Sequence, residues 1–116
     1  MKTKILNFIT QKTLIDDVLV FLKKIDAKWF QKVKKIKLIV KGHGEYPADI
    51  LISLVKDDIV IPLFSPSEDC SFTFFVEKEF DCLNGEKVKG TWKIIVEDIY
   101  EEDENYIDRL TLIIYL

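Results

Sequence analysis

The sequence predicts an all-β sandwich, and three observations carry the prediction. From Lys35 onward the apolar residues recur with a period of two, the spacing of a half-buried strand. The apolar runs are short and are separated by Gly, Pro, Asn and Asp clusters that read as turns. The chain has 116 residues and is 48% hydrophobic, which suits one domain around one core. A single domain over residues 1–116 is therefore expected.

The elements follow in order. Residues 1–13 are mixed, and Ile5, Phe8 and Ile9 would anchor a loose arm or an edge strand. Residues 14–34 are ambiguous. Ile15, Val18, Leu19, Leu22, Ile25, Trp29 and Val33 fall at helical spacing, and Thr13 with Asp16 resembles a capping box. Yet Val18-Leu19-Val20-Phe21-Leu22 is also a compact run of β-formers. Ile36, Leu38 and Val40 then alternate with lysines, and Gly42 to Asp49 is a loop. Ile50–Val55 and Ile59–Phe64 flank a tight turn at Lys56-Asp57-Asp58, which predicts a hairpin. Pro62 cannot donate to a ladder, so that second strand belongs at an edge or a bulge. Cys70–Val76 is aromatic and β-rich, and Asn84-Gly85 and Gly90 mark turns. Gly90–Asp98 is a strand, Ile99–Asp108 an acidic loop, and Leu110–Tyr115 the closing strand.

One parity class of each strand is assigned to the core: Ile36/Leu38/Val40, Ile50/Ile52/Leu54, Trp92/Ile94/Val96 and Leu110/Leu112/Ile114. The opposite class is apolar more often than a wet face requires, at Ile39, Leu51, Val55, Phe75, Ile95, Ile113 and Tyr115. Either residues 1–34 cover those faces or another protein does.

Composition excludes several classes. Seventeen basic against twenty acidic residues leave a net charge of −3, without the positive excess of a nucleic-acid binder. The apolar runs are too short to span a membrane. The N-terminus lacks a signal-peptide h-region, which predicts a cytoplasmic protein. Cys70 and Cys82 are then expected as two free, part-buried thiols rather than a bridge. Lysines from Lys23 to Lys41 form a basic band opposite in sign to residues 97–108, which suits an oriented partner contact or head-to-tail self-association.

The C-terminal third carries a recognisable pattern. Asn84-Gly85, a four-residue spacer, Gly90-Thr91-Trp92, a strand ending in Asp98, an acidic loop and a closing strand from Asp108 resemble the end of the P domain (homo B domain) of subtilisin-like proprotein convertases. Upstream, Tyr46, Asp49 and Ile50 match that family's Tyr, Asp and Leu, and Leu14–Asp17 sits where the family begins. The resemblance covers roughly residues 14–116. It departs from the pattern at Gly44, where the family usually has His, at Ala48 for Gly, and at Leu110 for a second Trp. It implies a jelly-roll-like, galactose-binding-domain-like antiparallel β-sandwich, and it tips residues 18–22 from helix to strand. It implies no activity, because the P domain accompanies and stabilises a neighbouring catalytic domain.

The residues for chemistry are sparse. His43 stands alone between glycines, with neither a nucleophile elbow nor zinc-ligand spacing around it. Asp98, Asp103 and Asp108 in the acidic loop are the only set that suits a hard cation such as calcium, without an Asp-x-Asp-x-Asp-Gly pattern. No other cofactor is expected. The predicted function is a non-catalytic protein-interaction or assembly module, with a protein partner or a second copy of itself. Ile95, Ile113 and Tyr115 would form its surface, together with Tyr46, Tyr100 and Tyr106 at one end. The alternative is a carbohydrate- or calcium-dependent ligand-binding module, in which Trp29, Trp92, Tyr46, Tyr100 or Tyr106 stacks on a sugar.

Overall fold

The computed structural model describes residues 2–65, 72–99 and 104–116. It is an antiparallel β-sandwich of jelly-roll type. The strands are β1 (Thr3–Ile9), β2 (Thr13–Leu14), β3 (Val18–Ile25), β4 (Lys35–Gly44), β5 (Ile50–Lys56), β6 (Ile59–Phe64), β7 (Thr73–Phe80), β8 (Gly90–Asp98) and β9 (Asn105–Tyr115), with one 3₁₀ turn at Pro47–Asp49. One sheet, A, has the order β1-β9-β4-β7, with β2 continuing the β1 edge along β9. The other, B, has the order β3-β8-β5-β6. The β5–β6 hairpin stays within one sheet, while β4 to β5, β6 to β7, β7 to β8 and β8 to β9 cross between them. That crossing pattern encloses one core between two layers. No helix among the described residues is long and apolar enough to cross a membrane.

The inward parity class forms the core as expected. Ile36, Leu38, Val40, Ile50, Ile52, Leu54, Trp92, Ile94, Val96, Leu110, Leu112 and Ile114 are all fully buried, and they pack in one cluster. Burial of that many large side chains supplies most of the drive to fold, at roughly 1.5–3 kcal/mol each before entropy is counted.

Residues 18–25 are strand, as the family resemblance implied for residues 18–22, so the helical spacing over 14–34 is accidental. Its members do not share a face: Ile15, Ile25 and Val33 are buried, whereas Val18, Leu22 and Trp29 are exposed. The acidic loop is shorter than Ile99–Asp108, because β9 already begins at Asn105, where Asn105 and Ile107 are buried against β4 and β2. Residues 3–25 do not cover an outer face either. They lie in the sheets as β1, β2 and β3 and lengthen the edges. The free thiol of Cys82 is exposed rather than part-buried, and Cys70 lies outside the described residues.

Candidate interaction surface

The recognisable motifs fold into the two ends of the sandwich. At one end, Lys56 is fully buried although charged. Its ammonium donates to the Asp57 carboxylate and, at 3.0 Å, to the Lys89 carbonyl, and it lies 5.5 Å from the centre of the Trp92 ring. Asp57 also accepts from the Thr91 N–H at 3.1 Å. The Lys56 hydrogen bond, then the Thr91 N–H, holds the Asp57 carboxyl below its ordinary range. Gly90 has φ +138°, and a Cβ there would meet Lys56 Nζ at 2.7 Å and Asp57 Oδ1 at 2.6 Å. Trp92 Nε1 donates to the Val88 carbonyl at 2.9 Å. Gly90-Thr91-Trp92 is thus a structural latch around a buried ammonium.

At the other end, fully buried Asn105 ties the chain together. Its Nδ2 donates to the Tyr46 carbonyl and to Asp98 Oδ2, both at 2.9 Å, and its Oδ1 accepts from the Tyr46 N–H at 3.0 Å. The Ile99 N–H donates to the Asp49 carbonyl and the Asp98 N–H to the Asp17 carbonyl. On the outer side of sheet A at this end, His43 Nδ1 is 2.7 Å from Asp108 Oδ2, and its ring stacks on Tyr106 with centroids 5.1 Å apart. Asp108 reaches His43 because it is the extra residue of a bulge: Lys41 pairs with Arg109 and Gly42 with Ile107. A shallow cleft of about 300 Å³ lies beside the pair, lined by Phe72, Thr73 and Glu104 among others. Among the described residues no hydroxyl or thiol is bonded to the imidazole.

The residues proposed for calcium do not converge. Asp98 faces inward at the end of β8 with Asn105, Asp108 faces outward with His43, and Asp103 lies outside the described residues. Among the described residues no group of three or more His, Cys, Asp or Glu side chains is placed to hold a metal. The aromatic residues also scatter. Tyr46 and Tyr106 share one end, Tyr100 is outside the described residues, Trp92 is core, and Trp29 is 74% exposed on the β3–β4 loop against Phe30. Tyr106 is already engaged by His43 and by Lys12 Nζ at 4.5 Å, and Glu104 raises its phenol pKa.

The single surface expected at Ile95, Ile113 and Tyr115 divides in two. Ile113 and Tyr115 face outward from sheet A, and Ile95 faces outward from sheet B, on the opposite side of the molecule. The reason is topological. β8 and β9 are consecutive but enter different sheets, so equal parity places their outer residues back to back. Neighbours then decide what each face becomes. On sheet A, Ile113 lies between Ile5 and Lys37, and Tyr115 beneath Lys35 Nζ at 4.9 Å. Lys35 and Lys37 pair in turn with Glu79 at 3.2 Å and Glu77 at 2.6 Å on β7. That hydrogen bond and the Glu77 charge raise the Lys37 pKa against some desolvation.

Sheet B is different. Its outer face has three cross-strand rows: Val18–Glu97–Leu51, Val20–Ile95–Ser53–Pro62, and Leu22–Lys93–Val55–Val60. Val18, Val20, Leu22 and Val60 are 48%, 56%, 54% and 66% exposed, and Leu51, Val55 and Ile95 are half-buried between them. An apolar sheet face of this kind, with Lys93 and Glu97 the charges within these three rows and Lys24 beside them, is what a partner contact uses. The sequence marked its central residues Ile95, Leu51 and Val55. It missed Val18, Val20 and Leu22, because the faces of that run stay unassigned while it stands between helix and strand.

By sequence, the chain matches no family model and no curated protein. By structure, it is similar to part of a serine protease of Aeromonas sobria, with a TM-score of 0.68 and 14% identity. The match covers 98% of this chain and 26% of the protease, so the chain spans about a quarter of that protein's length. The same protease in complex with its chaperone, ORF2, gives a TM-score of 0.67. The FLHE structure gives 0.63 at 7% identity, covering 97% of this chain and 91% of FLHE. At these identities the likeness is one of fold.

Proposed function

We propose that this protein is a non-catalytic interaction module of P-domain type, which docks a separately encoded protein through the outer face of sheet B. The observation that carries the reading is that face itself, apolar across all four strands in a chain whose other sheet is charge-paired. The resemblance of residues 84–112 to the P domain and the fold likeness to part of a serine protease support an accessory role beside a larger protein.

The test is site-specific photocrosslinking in the source cell. A photoreactive residue at Val60 should yield a discrete heteromeric adduct, and one at Lys78 on β7 should not. Val55→Thr should lower the yield of the Val60 adduct about tenfold or more, as expected of a central contact. No adduct at Val60, or equal adducts at Val60 and Lys78, would refute the docking surface.

A further inference from the structure

We propose that the protein forms a symmetric dimer by pairing β3 antiparallel with β3 of a second copy, which joins two B sheets into one sheet of eight strands. A sheet edge presents unpaired N–H and C=O groups, and proteins that stay apart blunt their edges with charge, proline or bulges. Three of the four edges here are blunted. β1 carries Lys4 and a register shift between Asn7 and Ile9. β6 carries Pro62 and a register shift in its pairing with β5. β7 carries Glu77-Lys78-Glu79. Only β3 presents an uninterrupted apolar run, Val18-Leu19-Val20-Phe21-Leu22, and among the described residues no strand pairs with its outer side.

The occupant is a second copy because the strand is complementary to itself. Asp16 and Asp17 precede the apolar run and Lys23 and Lys24 follow it. Set Val20 opposite Val20 of the second copy. Val18 then meets Leu22 and Leu19 meets Phe21, each pair occurring twice about the two-fold axis. Asp17, at φ +58°, turns the chain out of the strand just before Val18, so Asp16 and Asp17 lie at each end of the new ladder, toward Lys23 and Lys24 of the second copy. Side-chain parity allows the centre to move only residue by residue along the strand. Centring on Leu19 carries Phe21 and Leu22 past Val18, the first residue of the strand, to the turn at Asp17. Centring on Phe21 sets Leu19 and Val18 against Lys23 and Lys24. Only the Val20 register pairs the whole apolar run with itself and brings the acidic end of each copy to the basic end of the other. It also covers the half-exposed edge of Phe21, which packs edge-on against Phe8 with ring centres 6.4 Å apart. The outer rows of the two copies then adjoin through Val18, Val20 and Leu22.

This assembly is separate from the docking proposed above, since Val60 lies on the far edge of sheet B. The test is solution mass and register. At low salt and up to about 500 μM, the chain should approach twice its 13.6 kDa mass. Asp16→Lys and Lys24→Glu should each weaken dimerisation about tenfold, and an equimolar mixture of the two should restore it, because both ends of the mixed dimer again carry opposite charges. With Cys70 and Cys82 changed to Ser, Val20→Cys should oxidise to a covalent dimer and Val18→Cys should not. A monomer at every concentration, a mixture that fails to recover, or cross-linking that does not distinguish positions 20 and 18 would overturn the proposal.

Discussion

The two ends of the sandwich use opposite means to close it. At the Gly90 end a buried ammonium is held by one half-exposed carboxylate and one carbonyl, and a glycine leaves room for the pair. At the Asn105 end a neutral amide holds the chain, making three hydrogen bonds to groups 59 and 7 residues away. The residues that gave the sequence its family likeness, Tyr46, Asp49, Ile50, Gly90, Thr91 and Trp92, all sit at these ends or in the core beside them. The likeness therefore marks how the barrel of strands is closed and leaves its outer faces free to diverge.

The contrast predicts unequal costs. Asn105→Ala should be the most severe change, at about 3 kcal/mol, because it strands the Tyr46 N–H and removes a donor from a buried carboxylate. Chemical denaturation would show a shifted midpoint with an unchanged slope. Asp57→Ala should cost about 2 kcal/mol. A buried ion losing its partner costs more, but Asp57 is 54% exposed, and solvent screens part of the pair. The pH dependence follows from the lowered Asp57 pKa. Its contribution is complete above the unfolded value, about 3.9, and is lost as pH falls through the folded one. Asp57→Asn should therefore flatten the loss of stability below about pH 4. The smallest effect is expected at His43→Ala, under about 1 kcal/mol, since the imidazole–carboxylate pair is part-exposed. An equal cost at Asn105 and His43 would mean that the outer pair, and not the amide, closes that end.

The sequence by itself determined the core and the hairpin. Period-two alternation named twelve core positions between Ile36 and Ile114, without Ile61, Leu63, Leu83, Val88 and Ile107, and Lys56-Asp57-Asp58 named a turn that the structure places between β5 and β6. Those signals are local, because a strand's two faces are written in adjacent residues. It left residues 18–22 undecided between helix and strand until the family resemblance favoured strand, because the ladder partner that fixes them, β8, is some 70 residues away. It ended the acidic loop four residues late, because burial of Asn105 and Ile107 depends on β4 and β2. It grouped Ile95 with Ile113, because only the crossing between sheets sets them on opposite sides. It saw Lys56 as a wet turn residue, since nothing local announces that Trp92, Lys89 and Asp57 will enclose its ammonium. What faces inward was therefore legible one strand at a time, but which outward residues share a surface depends on the order of strands in each sheet, and only the tertiary structure decides that order.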